Sequence, residues 1–367
     1  MEVQNNTPGS DSPTDGLSPD ALACWIALNR VTGIGPVGFR ALLSYFHDDV
    51  ETAWKAGRTE LARAGIARRA IENLLNLRAT INPQAELERL EKLRMRVVTW
   101  RDRLYPPLLR EVDDAPPVLY LYGKLTEADR FALAVVGTRN SSTYGQQVTQ
   151  RMVTELARGD VTIVSGLALG IDTIAHTAAL DAGGRTIAVL ACGLDIIYPP
   201  VNRGLARRIV ESGQGLLMSE YPPGSQPEGS NFPARNRIIS GLSLGVLVVE
   251  APERSGALIT ADKALKQGRD VFAIPGSILS SRSAGAHWRW RSAMGRRFGG
   301  VCAAACSGRC VKNKSSHTLA SVAALCATRA SWAVAGRSVT VCLPASVVRV
   351  WYWLDPLSRT RAFSSAG

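Results

Sequence analysis

No stretch of the 367 residues is apolar over the length a membrane span needs, and the N-terminus has no basic-then-apolar leader, so a cytoplasmic protein is expected. Ser165 has neither the flanking glycines of a nucleophile elbow nor a convincing base, which argues against a hydrolase. Acids are nearly missing from one end. Of 43 Lys and Arg and 31 Asp and Glu, 13 bases and a single acid, Asp355, lie from Ser281 onward, which leaves 30 of each in front. The net charge of +12 therefore belongs to the tail, and the body is neutral. A cysteine framework is also lacking there, because only Cys24 and Cys192 of the seven cysteines precede residue 280, and both read as small core residues.

What is present is a series of continuous apolar runs between Phe131 and Gly276. They are Phe131–Val136, Val161–Val164, Thr186–Leu190, Gly215–Met218, Gly245–Val249 and Asp270–Ile274, each ended by small, turn-forming or polar residues. Runs of this kind read as strands buried on both faces, and helical patterns separate them. The alternation predicts an α/β fold: a Rossmann-like, doubly wound, mostly parallel sheet. Ligands of such sheets bind outside the carboxyl ends of the strands, so the polar clusters ending these runs are the candidate site.

In front of the sheet the pattern changes. Residues 1–18 are rich in Ser, Asp, Pro and Gly without apolar periodicity and read as disordered. Residues 19–80 read as a small helical domain. Leu22, Trp25 and Ile26, then Phe39, Leu42, Leu43 and Phe46, fall at helical spacing, and a second short helical pair spans Glu60–Ala79. Between the first two helices, Gly33-Ile-Gly35-Pro36-Val-Gly38 has the glycine spacing of a dinucleotide fingerprint, but that fingerprint needs a preceding strand and here a helix precedes. Two readings stay open: a helix-hairpin-helix whose amides approach a DNA phosphate, or a plain helical hairpin with a glycine-rich turn. Residues 81–278 form the second domain. It starts with an amphipathic helix over 83–94 and a strand over Met95–Trp100. The proline pair Pro116-Pro117 then reads as a connection into the sheet.

Four strand ends carry the candidate chemistry. Gly137-Thr138-Arg139-Asn140-Ser141-Ser142 precedes a helix over Thr143–Arg158, and helix-start amides with hydroxyls and a guanidinium make an anion site. Ser165, Gly166 and Gly170 follow the second run and permit tight turns and close ligand approach. Asp172 and His176 share a helix face, where a capping Asp and a structural His outweigh a catalytic pair. The segment from Tyr221 to Arg237 ends in Phe232-Pro-Ala-Arg235-Asn236-Arg237, an aromatic beside two arginines. These are the groups that stack a base and track phosphates of a single strand; the alternative is that Phe232 enters the core and the arginines pair with acids. Ser255, Gly256 and Thr260 form a third anion cradle at a helix start, with Lys263, Lys266 and Arg269 either extending a basic surface or forming a solvated face.

Four motifs occur in order: Val136-Gly-Thr-Arg139-x-x-Ser-x-Tyr-Gly145, Ser165-Gly-Leu-Ala-x-Gly-Ile-Asp172-x-x-Ala-His176, Phe232-Pro-x-Arg-Asn-Arg-Ile-Ile239-x-Gly-Leu-Ser243 and Ser255-Gly-Ala-Leu-x-Thr260. Together, over roughly residues 100–278, the chain resembles the bacterial DNA-processing protein family DprA, also called Smf. The resemblance implies an extended Rossmann-like fold, binding of incoming single-stranded DNA during natural transformation, loading of the RecA recombinase onto that DNA, and homodimers. No cofactor and no metal are expected. Carried over by motif position, the DNA pocket is Gly137, Thr138, Arg139, Ser165, Gly166, Phe232, Arg235, Asn236 and Arg237. The competing enzyme class, nucleotide phosphoribohydrolases on a related sheet, uses a Pro-Gly-Gly-x-Gly-Thr run followed by a Glu. At that strand end this chain has Glu253-Arg254-Ser255-Gly256-Ala-Leu-Ile-Thr260 instead. A third reading is a scaffold whose helical domain and sheet bind proteins.

Residues 279–367 depart from the family. Five of the seven Cys and five of the eight Trp lie beyond residue 280, and no clear amphipathic frame organises them. Cys302, Cys306, Cys310 and His317 are spaced too widely for an ordinary structural zinc site. The abrupt change predicts a disordered tail or one read out of frame, which the gene's other two frames test directly.

Overall fold

A computed structural model of the chain describes residues 17–276 and 280–285, and the backbone of 339–343 and 346–350. Of the disordered-terminus expectation for residues 1–18, residues 1–16 lie outside the described residues, and Ser18 departs from it as the ordered N-cap of the first helix. The zinc and cysteine readings of the tail also lie outside the described residues.

The helical region runs α1 (Pro19–Asn29), α2 (Pro36–Tyr45), α3 (Val50–Lys55), α4 (Arg58–Arg63), α5 (Arg68–Arg78) and α6 (Pro83–Lys92). Local chemistry sets the start of α1: the Ser18 hydroxyl accepts from the Ala21 amide at 3.0 Å, and Pro19 occupies the first turn. The Thr32–Gly38 turn follows α1 rather than a strand, with Gly33 at φ +98 and Asn73 donating to the Thr32 carbonyl at 2.8 Å. Trp25 stacks on Phe39 at 5.4 Å, and Trp100, just past the first strand, meets both rings edge-on at 6.2 and 6.3 Å. That aromatic cluster is continuous with one face of the sheet, so helices and sheet share a core. Asn29 at the end of α1 donates to the Tyr120 hydroxyl and to the Glu220 carbonyl, and Arg30 joins Glu86 at 3.0 Å.

The sheet follows as β1 (Arg96–Thr99), α7 (Pro107–Arg110), β2 (Val118–Tyr122), β3 (Ala132–Val136), α8 (Thr143–Arg158), β4 (Thr162–Ser165), α9 (Ile171–Asp181), β5 (Thr186–Val189), α10 (Arg203–Glu211), β6 (Gly215–Ser219), α11 (Asn231–Gly241), β7 (Gly245–Val248), α12 (Gly256–Lys266) and β8 (Asp270–Ala273). Eight strands lie in the order β1-β2-β6-β5-β4-β3-β7-β8. The six from β3 to β8 are parallel, as their apolar runs predict, while β1 and β2 add an antiparallel edge beside β6. The segment after Pro116-Pro117 is thus a strand inside the sheet rather than a connection. The prolines sit just ahead of the ladder, where they break no hydrogen bond. In the tail, β9 (Val339–Leu343) and β10 (Ser346–Val350) pair antiparallel.

Chain succession reverses at β3, which has β4 on one side and β7 on the other. The carboxyl ends of the parallel strands all open onto one edge, and that edge carries the candidate residues.

Candidate functional site

The turns after β3 and β4 are stitched together by backbone. Gly170, at φ +74, starts α9, and a Cβ there would overlap the carbonyl oxygens of Thr138 and Arg139. The Ile171 amide donates to the Thr138 carbonyl at 3.2 Å, and a Cβ on Gly137 would overlap the Ile171 side chain. Glycine is required at both places by this close approach. Asp172, buried at the start of α9, accepts from the amides of Gly166 and Ala168 at 3.1 and 3.3 Å, so it holds the β4 turn. His176 is fully buried, with Nδ1 2.7 Å from the Thr186 hydroxyl. His176 is thus the structural residue that its spacing favours. Asp172 is not the expected helix cap: the N-cap of α9 is Gly170, without a side-chain bond, and the Asp172 carboxylate is spent on the turn before it. Ser165 is equally enclosed: its hydroxyl donates to the Val135 carbonyl at 2.7 Å and presents no free nucleophile.

Helix α11 begins at Asn231, so Phe232, Arg235, Asn236 and Arg237 are helical residues rather than loop residues. Pro233 is tolerated because it lies in the first turn. Residues two apart on a helix point about 200° apart, and the two arginines accordingly go separate ways. Arg235, 4% exposed, donates through Nη1 to the Gly166 carbonyl at 2.9 Å and to the Val189 carbonyl, tying the ends of β4 and β5 together. Burial pulls its pKa down to about 10, with the Asp172 carboxylate working in the opposite direction, so it stays charged at neutral pH. Arg237 grips both carboxylate oxygens of Glu220 at 2.6 Å and donates to the Asp114 carbonyl at 2.8 Å. Burial opposes the Arg237 charge, and the Glu220 hydrogen bonds and charge offset it, leaving its pKa raised. Asn236 donates to the Gly256 carbonyl at 3.4 Å and so connects α11 to the start of α12.

At the outer surface the arrangement is open. Arg139 is exposed, and its guanidinium lies over the Phe232 ring, 5.8 Å from the centroid. Tyr198, 43% exposed, meets Phe232 edge-on at 5.6 Å. Thr138 is half-buried beside Arg139, and its hydroxyl accepts from the Asn140 amide at 3.2 Å. Ser255 caps α12 by accepting from the Ala257 amide, Gly256 is exposed next to it, and Thr260 is buried below at 2% exposure.

The thirteen residues picked from sequence therefore lie on one rim in two layers. Thr138, Arg139, Phe232, Ser255 and Gly256 reach its surface, while Ser165, Gly166, Arg235, Asn236, Arg237 and Thr260 lie beneath; Gly137 and Gly170 close the turn between layers. Lys263 and Arg269 on and after α12 face Asp114 and Glu111, at 3.9 and 3.2 Å, rather than forming a free basic stripe. Tyr198 was not among the sequence candidates. Its signal is the aromatic of Ile197-Tyr198-Pro199-Pro200, placed directly before a proline pair past the end of β5. Glu250 was missed as well: 3% exposed at the end of β7, it binds the amide and hydroxyl of Ser142 at 2.9 and 2.5 Å. Cys24 and Cys192 are buried, and burial pushes both thiols up to about 11, as core cysteines should behave. Among the described residues no group of three or more His, Cys, Asp or Glu could hold a metal ion, and no helix is long and apolar enough to cross a membrane.

Comparison with known proteins agrees with this architecture. A family model for DNA recombination-mediator protein A matches residues 96–295. Protein Smf of Synechocystis is 45% identical over 260 residues, 70% of this chain and 65% of that protein. DNA processing protein DprA of Streptococcus pneumoniae is 50% identical over 186 residues, 51% of this chain and 65% of that protein. The chain thus spans slightly less than two thirds of the length of these relatives. The X-ray structure of DNA processing protein A from S. pneumoniae superposes with a TM-score of 0.64 at 38% identity, covering 74% of this chain and 92% of that one. With the helical region, the mostly parallel eight-stranded sheet and the ordered motifs all in place, the chain belongs to the DprA/Smf family of DNA recombination mediators.

Proposed function

We propose that the rim binds single-stranded DNA and that its work is capture, without chemistry on the strand. The observation that carries this reading is the outer triplet of Arg139, Phe232 and Tyr198: one exposed cation over one ring, with a second exposed ring beside it. Each ring can take the π-face of an unpaired base, while the guanidinium supplies a phosphate contact. A duplex offers no such faces, because its bases are already stacked and paired. The inner layer serves by position. Arg235 fixes the turn after β4, Arg237 fixes α11 against Glu220, and Asn236 sets α11 against α12. Ser165, Gly166, Gly170 and Thr260 hold the turns on which Thr138, Arg139, Ser255 and Gly256 are presented.

We extend the proposal, on family membership, to loading of RecA onto the captured strand and to a homodimer. Two linked rims would raise the effective concentration of each for one long strand. The test is a titration of single- and double-stranded oligonucleotides at several salt concentrations with the full chain and Arg139→Ala. Each phosphate neutralised contributes about 0.7 to the slope of log K against log salt for single strands. Loss of about that much, with weaker binding, is the expected result. An unchanged slope removes Arg139 from the DNA contact, and equal affinity for duplex removes the single-strand reading.

A further inference from the structure

We propose that Glu250 is the resident anion of the α8 helix start, a specificity-determining residue that closes the crevice between β3 and β7 to mononucleotide phosphates. That crevice is where strand succession reverses, the ordinary phosphate position of such sheets. Here the position is already filled. Glu250 is 3% exposed, and its two oxygens accept from the amide and the hydroxyl of Ser142, the N-cap of α8. The same hydroxyl accepts from the Gly145 amide at 3.0 Å, so carboxylate, cap and first turn form one closed network. Gly145 has no room for a Cβ because the Glu250 carboxylate lies against it. The Glu250 carbonyl also accepts from the Thr138 amide at 2.7 Å, so the strand end cannot swing aside without breaking the β3 turn.

The positive end of the α8 dipole is thus neutralised from inside. A phosphate group entering the same place would meet a like charge at contact distance and find the Ser142 donors engaged. Phosphates are left to the outer rim, where the Arg139 guanidinium is exposed. This inference concerns the crevice alone and does not depend on DNA binding at the rim.

The test uses the full chain with Glu250→Ala and Glu250→Gln. Thermal unfolding is followed in sodium phosphate, sodium formate and sodium chloride at matched ionic strength, and AMP binding is measured by equilibrium dialysis. The wild-type chain should show no saturable response to phosphate or AMP. Glu250→Ala should melt lower and be restored saturably by formate or phosphate, by roughly 5 °C at a hundredfold excess over the dissociation constant. Glu250→Gln, which keeps the volume and loses the charge, should melt lower and not respond. General salting-out is removed by comparison with the wild-type slope. If Glu250→Ala is unfolded in chloride, formate must return its far-UV circular dichroism. A wild-type chain that binds phosphate or AMP saturably in the crevice, or a Glu250→Ala chain that formate and phosphate leave unchanged, overturns the proposal.

Discussion

His176 should make this protein acid-labile in a way that a single substitution removes. Its ring is fully buried in α9, and the geometry fixes its tautomer. The Thr186 hydroxyl already donates to the Ile163 carbonyl at 2.8 Å, so at 2.7 Å from Nδ1 it must accept, and Nδ1 carries the hydrogen. Nε2 is then a bare lone pair with no hydrogen-bond partner. A proton added there would place an N–H without an acceptor and a charge without water, and the nearby Arg235 charge adds to the penalty. Burial, then Arg235, pull the pKa down from 6.5 to about 3. Because the folded pKa is depressed, the unfolded chain binds the proton first. The contribution is fully present above pH 6.5 and is lost as pH falls toward the folded value. Between pH 7 and pH 5 the loss is about 2 kcal/mol, or roughly 4–8 °C in Tm. His176→Leu cannot titrate and leaves the Thr186–Ile163 bond in place. Urea unfolding of both chains at pH 5, 6 and 7 should give free energies that diverge toward acid by that amount, the wild-type chain falling faster. Parallel curves would refute the argument.

The two layers of the rim should separate in mutagenesis. Phe232→Ala and Tyr198→Ala should each weaken single-strand binding by about 1–3 kcal/mol per stacked base while leaving Tm nearly unchanged; fluorescence anisotropy with a labelled oligonucleotide measures the first and calorimetry the second. Arg237→Ala should do the reverse first. It strips a buried pair whose Arg and Glu side chains are 7% and 16% exposed, costing about 3–5 kcal/mol of stability by leaving the Glu220 charge buried and alone. A chemical denaturation midpoint unmoved by Arg237→Ala would show that Glu220 finds water instead.

The parallel half of the sheet was legible because β3 to β7 are buried on both faces and so write themselves as unbroken apolar runs. The antiparallel edge was half-hidden, since Pro116-Pro117 reads as punctuation although Val118–Leu121 beyond it are fully buried. That the candidate clusters share one rim was legible too, because parallel strands place all their carboxyl ends on one edge. Which side chains face outward was not. Arg235 and Arg237 look alike in sequence, and only the helical phase of α11, set by its start at Asn231, turns one under the β4 turn and the other onto Glu220. Glu250 and Ser142 are separated by 108 positions, so no local pattern could pair them.

That distinction changes what the arginine-rich motif is for. A guanidinium on the surface attracts phosphate but holds nothing in place, whereas Arg235 spends its donors on two carbonyl oxygens at the ends of adjacent strands. Its charge survives burial, and Asp172 sits across the same turn with amide donors of its own. The β4 turn is therefore held from both sides by buried polar side chains, and Gly170 at its far end admits the Thr138 and Arg139 carbonyls without a side chain between. The backbone of Arg139, the exposed cation of the proposed strand contact, is set by this frame, while its guanidinium lies over the Phe232 ring. Rim geometry and rim charge are thus supplied by different arginines, and a substitution in one layer should be distinguishable from the other by whether salt dependence or stability moves first.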